Sequence, residues 1–331
     1  MHSSSPTPAS QIPGRRIEAI DAARGAALLA MVSYHFTWDL EFFGYVTPGL
    51  TAFGGWKIYA RCIASSFLFL VGFSLMLAHG NGIRWNGFGK RLAMIVAAAA
   101  AITIATWFAT PGSFIFFGIL HHIALASLLG LAFLRFPAWA LAVAAILVAM
   151  APQFLRMPIF DHPGLWWLGL STISPRSNDY VPLFPWFAAV LAGMAAARLA
   201  RDFGLLARLG GELPQPALRP LVKIGQHSLA FYIIHQPVLI ACLWLFAQVF
   251  PAPAQDPRIG FMHGCETYCR ESRDPSFCTA YCGCMFDAVQ KDGTVDKVMS
   301  GTQNEELSRR VQELASICTA ETDMKLMGEE E

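Results

Sequence analysis

The chain has 331 residues, of which 55% are hydrophobic and only 14% charged, with a formal net charge of +1 and a mean hydropathy of +0.45. A soluble domain usually carries about 25% charged residues, so an ordinary soluble enzyme is a poor fit. The near-zero net charge points to no nucleic-acid or other polyanion partner.

Residues 1–14, with their SSSPTPAS stretch, read as a flexible tail. No secretory cleavage pattern is visible, so the first apolar run is expected to act as an uncleaved signal anchor. Seven helix-length apolar runs follow, at about Ile17–Leu40, Ile58–His79, Leu92–Ala109, Ser113–Phe133, Ala138–Ala151, Val181–Ala200 and Ile224–Phe250. Crossing the hydrocarbon core as a helix takes roughly 20 mostly apolar residues. The fifth run is near the lower limit, and a shallow or re-entrant element is its alternative. The Leu165–Leu170 stretch (LWWLGL) reads as interfacial, because Trp prefers the headgroup zone. Residues 15–250 are thus expected to form an all-α transmembrane helix bundle of about seven spans in lipid.

Cytoplasmic loops retain Lys and Arg, and this bias sets orientation. Arg15 and Arg16 precede the first run, Arg84, Lys90 and Arg91 lie between the second and third, and Arg135 lies between the fourth and fifth. Arg198, Arg201, Arg208, Arg219 and Lys223 lie between the sixth and seventh. All fall on one side if the N-terminus is inside. The other side holds mainly Lys57, Arg61, Arg156 and Arg176. The predicted topology is N-terminus in, C-terminus out.

The cysteines bear on the same parity. Of eight, Cys62 and Cys242 fall in apolar runs, where a buried Cys is usually inert packing. Cys265, Cys269, Cys278, Cys282, Cys284 and Cys318 cluster in residues 251–331. Seven spans put that cluster outside, where disulfides persist. Cys265 and Cys269 share a helix face, as do Cys278 and Cys282, and Asp274-Pro275 supplies a turn between them. This predicts a helical hairpin with nested bridges, Cys265–Cys282 and Cys269–Cys278, leaving Cys284 to pair with Cys318. Six cysteines allow 15 pairings. A metal site with His263 is the alternative, though the spacing is not the C-x₂-C of zinc pairs, and no metal is expected. The paired C-x₃-C spacing is similar to that of twin C-x₃-C helical hairpins. Residues 303–317 read as an amphipathic helix with Leu307, Val311 and Leu314 on one side. Nothing in this tail looks catalytic. It reads as a capping or interaction domain, which leaves a protein partner open.

Ionisable groups inside a span are costly and are therefore functional candidates. Asp21, Arg24 and Gly25 form D-x-x-R-G at the start of the first run. Asp and Arg three apart can pair, either to fix helix depth or to present a guanidinium to a phosphate. His35 and Asp39 stand near the far end, again one turn apart. A carboxylate beside an imidazole raises its basicity and fixes its tautomer, the layout of a general base with its orienting group. An interfacial polar cap is the competing reading. Tyr34, Trp38, Phe42 and Phe43 around the pair suit a pocket or an interfacial belt. His121 and His122 lie about a third of the way into the fourth run, and His227, Ser228, Tyr232, His235 and Gln236 lie in the seventh, before Pro237. That proline is expected to kink the helix and free backbone carbonyls. Such a set fits either group transfer across the membrane or a transporter with a proton relay.

In order, IDAARGAALLAMVSYHFTWDL, FLFLVGFSLML, FGILHHIALASLLG, PLFPWFAAVLAGM and GQHSLAFYIIHQPVL resemble the bacterial membrane proteins related to heparan-alpha-glucosaminide N-acetyltransferase. The resemblance covers roughly residues 15–250, and its D-x-x-R-G opening and H-S-L…Y…H-Q-P closing block are the specific parts. It implies an enzyme that takes the acyl group of acetyl-CoA from the cytoplasm to a sugar amine or hydroxyl on the far side, with a catalytic His. A neutral His can take a proton near pH 7 or carry the acyl group itself. His35 is the expected base or acyl carrier with Asp39 orienting it, and His122 and His235 are alternatives. The phosphates of acetyl-CoA would call on Arg24, Lys90, Arg91 and Lys223. Asp21 would organise the inner mouth and His121 would line the path. The animal enzyme of this family places a His between its first and second helices, whereas Gly44–Trp56 here contains none. The expected setting is the bacterial inner membrane with the Cys-rich domain in the periplasm, acting on a glycan or lipid-linked sugar. A homo-oligomer stays open. A non-enzymatic transporter and a membrane scaffold recruiting a partner through the Cys-rich domain are the rival readings.

Overall fold

The structure, a computed structural model, describes residues 17–206, 216–253, 256–270, 272–299 and 304–329. Among these residues there are helices, 3-10 turns and one isolated parallel bridge, Phe117 to Tyr180, and no strand. Arg15, Arg16, Arg208, residue 303 and the N-terminal tail lie outside the described residues.

Seven helices stand where the apolar runs were read. They are α1 (Glu18–Phe42), α2 (Gly54–His79), α3 (Trp85–Ala109), α4 (Ile119–Phe133), α5 (Ala138–Phe154), α6 (Leu183–Asp202) and, after the short α7 (Arg219–Gln226), α8 (Ser228–Val249). By length and composition α2, α3, α6 and α8 can each cross a membrane. Helix α1 is as long but carries Glu18, Asp21, Arg24, Asp39 and Glu41. Helices α4 and α5 are apolar but shorter, at 15 and 17 residues.

Several boundaries differ from the hydropathy reading. Helix α3 starts at Trp85, so Lys90 and Arg91 sit in its first turns and not in a loop. Helix formation needs no apolar residues, and hydropathy misses a polar first turn. Helix α4 starts at Ile119, not Ser113, so His121 and His122 belong to its first turn. The preceding stretch pairs instead with 178–181: Asn178 N donates to Ser113 O at 2.8 Å and Val181 N to Phe117 O at 3.0 Å. The seventh run is broken at His227 (φ −107°, ψ 30°) into the amphipathic α7 and the apolar α8. Helix α8 continues through Pro237. The LWWLGL stretch falls largely in a 3-10 turn, Pro163–Leu168.

Helix α6 is the hub. Leu68, Leu75 and Met76 of α2, Leu141 of α5 and Val190, Leu191 and Met194 of α6 form one buried cluster. Glycines allow the backbones to meet: an ideal Cβ on Gly72 would lie 1.9 Å from Val190 O, and one on Gly193 2.0 Å from Phe69 O. Small residues at crossings are the usual device of membrane helices, where packing replaces the hydrophobic effect. The same device joins α1 to α7, where a Cβ on Gly25 would strike Leu221 O and one on Gly225 would strike Asp21 O.

The outer faces are apolar. Only 6% of the most apolar window of α8 and 17% of that of α3 is buried inside the protein, with Trp107, Phe108, Ile146, Leu147 and Val249 exposed. An apolar surface of this extent belongs in lipid. Cys62 and Cys242 are free and exposed on these faces, so Cys62 is not the buried residue expected. At one end of the bundle Arg198 donates to Leu134 O (3.1 Å) and Arg201 to Asn81 Oδ1 (3.0 Å), joining the ends of α2, α4 and α6.

The tail forms α9 (Pro257–Cys269), α10 (Pro275–Lys291), α11 (Val295–Met299) and α12 (Glu305–Glu329). The cysteines pair as read from their spacing: Cys265–Cys282, Cys269–Cys278 and Cys284–Cys318. Leu314 and Cys318 of α12 are buried against Met285 and Val289 of α10. No group able to hold a metal ion occurs among the described residues. The tail lies against the loop that follows α1: Gly260 meets Pro48, and Tyr45 donates its hydroxyl proton to Phe250 O. Glu41 braces that loop, accepting from Gly49 N (2.6 Å), Thr51 N (3.0 Å) and Thr51 Oγ1 (2.7 Å).

Candidate active site

The D-x-x-R pair forms as the spacing requires. Arg24 Nη1 donates to Asp21 Oδ1 at 2.7 Å, and Arg24 also donates to Ser74 Oγ of α2. The pair thus ties α1 to α2 and lines a cavity. That cavity has a volume of about 1220 Å³. At one end stand Asp21, Arg24, Ser74, Asn81, Arg84 and Arg91. Leu28, Met94, Ile95, Leu120, Ile123 and Tyr232 also line it, with Gln226, His227 and Ser228. Three guanidiniums around an apolar channel suit a ligand with an anionic head and a long neutral arm.

Tyr232 leads to the histidines. Its ring is 5.7 Å from that of His235, and His235 is 5.1 Å from His35. His235 Nδ1 lies 2.7 Å from Tyr232 O. A carbonyl only accepts, so Nδ1 carries the proton and Nε2 is left with a free lone pair. Tyr34 flanks the other side of His35, at 5.8 Å, and stands next to Trp56.

Asp39 is fully buried. It does not orient His35 as expected: its Oδ1 accepts from Gln236 Nε2 at 2.6 Å, while among the described residues His35 makes ring contacts with Tyr34 and His235. Asp39 sits one turn from His35 and points to α8, so the partner came from the neighbouring helix. Asp39 Oδ2, Gln236 Oε1 and His235 Nε2 are buried without a hydrogen-bond partner among the described residues. Unsatisfied buried polar atoms are rare in native folds. Three acceptors in one seam have the chemistry to accept from a donor-bearing group.

Sequence reasoning named His35, Asp39, His235, Asp21, Arg24 and Arg91 for one site, and they line this cavity and seam. The other candidates lie apart. His122 is buried with Nδ1 3.2 Å from Val181 O. His121 serves α4 structurally, since its Nδ1 accepts from Gly118 N and its Nε2 is 3.1 Å from Thr103 Oγ1. Lys90 and Lys223 are exposed and do not line the cavity. Arg84 lines it.

Asp179 was missed altogether. Its Oδ2 accepts from Ile119 N at 2.8 Å, capping α4 from 60 residues away, where a carboxylate suits the positive helix end. A Cβ on Gly118 would lie 2.3 Å from that oxygen, which makes glycine the residue that fits. Burial pushes the Asp179 carboxyl up to about 6. No local pattern signals it.

The bundle and its site define a class: an integral membrane protein whose polar, histidine-bearing seam continues an arginine-rimmed cavity. The family profile described as heparan-alpha-glucosaminide N-acetyltransferase, catalytic, matches residues 16–237, about two thirds of the chain, and the chain belongs to this family of acetyltransferases. No curated protein and no solved structure matches it.

Proposed function

We propose that this protein moves an acetyl group from cytoplasmic acetyl-CoA to a sugar amine or hydroxyl on the opposite face of a bacterial inner membrane. The observation that carries the reading is the alignment of three arginines, one cavity and the His35–His235 pair. Arg24, Arg84 and Arg91 would hold the phosphates, and the walls would hold the pantetheine arm. The thioester would reach Tyr232 and the histidines. His35 would then take the acceptor's proton or carry the acetyl group, and His235 Nε2 would accept a proton. Asp39 and Gln236 would bind the acceptor's donor groups.

In this reading residues 15–250 are the catalytic bundle, with N-terminus in and C-terminus out. Arg84, Arg198 and Arg201 then share the cytoplasmic end, and residues 251–331 form a periplasmic domain on the outer loop. The shared position of those arginines and the bridged cysteines both support that parity.

The test is thermal stability of detergent-purified protein against acetyl-CoA, with ATP as control polyanion. Acetyl-CoA at 100 times its Kd stabilises by about 2.7 kcal/mol if it binds only the folded state. The His35→Ala variant keeps that shift and loses transfer. No shift in wild type, or full transfer by His35→Ala, refutes the assignment.

A further inference from the structure

We propose that Tyr232 is a further catalytic residue, whose hydroxyl donates to the acyl carbonyl oxygen as it becomes an oxyanion, and that Asp179 is its positioning residue. This rests on the acyltransferase reading.

Acyl transfer needs two things at one carbon. A nucleophile must attack it, and a donor must meet the oxygen that gains charge. The histidines supply the first. Nothing assigned so far supplies the second, and the guanidiniums stand at the other end of the cavity. Tyr232 lies where the cavity meets the histidine seam, on the wall facing the space that the thioester would enter. Its hydroxyl has no hydrogen-bond partner among the described residues, whereas Tyr34, Tyr45, Tyr59 and Tyr180 each spend theirs on one.

Tyr232 also packs against two buried clusters, one with Leu28, Met31 and Ile63 and one with Ile95, Leu120 and Ala124, so residues of α1, α2, α3 and α4 surround it. Its backbone carbonyl fixes the His235 ring. One residue thus sets the tautomer of a base and presents a donor beside it. A preorganised donor in an apolar site costs no reorganisation as charge develops, and this is its advantage over water.

Asp179 acts at one remove. It accepts from Ile119 N at the start of α4, and Leu120 of the same turn belongs to the buried cluster against which Tyr232 packs. It therefore couples the phenol to the first turn of α4, which forms part of the wall.

In the step itself, the nucleophile's lone pair forms a bond to the carbonyl carbon and the π pair moves to oxygen. Tyr232 O–H hydrogen-bonds that oxygen and keeps its proton. The carbonyl reforms, the C–S bond breaks, and the CoA thiolate leaves with the proton that the nucleophile released.

The experiment uses the full chain in detergent, with glucosamine as acceptor probe and CoA thiol release as readout, beside acetyl-CoA binding by thermal shift. Tyr232→Phe is expected to lower kcat on the order of 10²–10³-fold, the usual loss of one oxyanion donor, with acetyl-CoA binding unchanged. Asp179→Asn is expected to lower kcat by less, with KM held and no drop in the thermal midpoint. Combining the two should do no more than Tyr232→Phe alone, since Asp179 acts through the phenol. A purely structural Asp179 would lower the midpoint and add to Tyr232→Phe. Turnover by Tyr232→Phe at the wild-type rate, or loss of acetyl-CoA binding in it, overturns the proposal while leaving the acyltransferase reading intact. A wild-type chain that neither binds acetyl-CoA nor releases CoA overturns both.

Discussion

Replacing Gly72 by alanine would place a methyl carbon 1.9 Å from the Val190 carbonyl oxygen. Real contacts of this kind start at 3.0–3.4 Å, so α2 and α6 would have to part by the difference, 1.1–1.5 Å. The obstructing atom is backbone in a packed helix and cannot rotate away. Overpacking costs typically 1–3 kcal/mol, and this site belongs at the upper end. At about 3 kcal/mol the thermal midpoint of a chain this size should fall by roughly 4 °C. Gly193→Ala, facing Phe69 O at 2.0 Å, should cost a similar amount. The double variant should cost less than the sum, because one separation of the helices relieves both clashes. Gly87 and Gly89 in α3 have nothing within 4 Å, so alanine there should stabilise by up to about 1 kcal/mol through helix propensity alone. Intrinsic tryptophan fluorescence during a thermal scan in detergent reads the wild type and all five variants. Gly72→Ala with a midpoint within about 1 °C of wild type, or one shifted like Gly87→Ala, would refute the backbone-contact argument for this interface.

Arg84→Gln or Arg91→Gln should each raise the KM for acetyl-CoA by about tenfold or more, the worth of one hydrogen bond to a charged group, with kcat little changed. Lys90→Gln and Lys223→Gln should leave KM where it is, and steady-state kinetics separates the two sets. Replacing Cys284 and Cys318 by serine removes the bridge with the longest separation, 34 residues, worth roughly 3.8 kcal/mol in the chain-entropy model. Limited proteolysis should then cut α12 first, and unchanged resistance would count against the stapled arrangement. Burial pushes the Asp179 carboxyl up to about 6 in the folded chain, from an ordinary value of 3.8. Between those values the unfolded chain loses its proton first, so this group's contribution to stability falls as pH rises and is flat beyond. Asp179→Asn should flatten that part of a midpoint-against-pH curve, and an identical curve would contradict the burial of this carboxyl.

What the sequence disclosed followed contact range. Asp21 with Arg24 and the cysteines four apart are helix-neighbour relations, and their pairings are local geometry. Long apolar runs located the helices for the same reason. The start of α4 could not be read, because the groups that end the extended stretch 113–118 include a carboxylate 60 residues further on. Asp39 was assigned to its helix neighbour His35, yet its partner is Gln236, 197 residues away. Hydropathy also set α3 too late, since a polar first turn carries no apolar signal. Arg84 was visible as a positive charge, but only the closing of α2 against α3 makes it a wall of the cavity.

The three bridges of the tail make its chemistry a record of where it was delivered. Bridge formation needs an oxidising compartment, and the side on which residues 251–331 emerge depends on whether an odd number of segments crosses. The thiol content of Cys265, Cys269, Cys278, Cys282, Cys284 and Cys318 in freshly isolated membranes thus counts crossings modulo two. The last of them, Cys318, is 13 residues from the C-terminus. The bridge it makes can close only after residue 318 has been synthesised and exported, so its oxidation also dates that step of assembly.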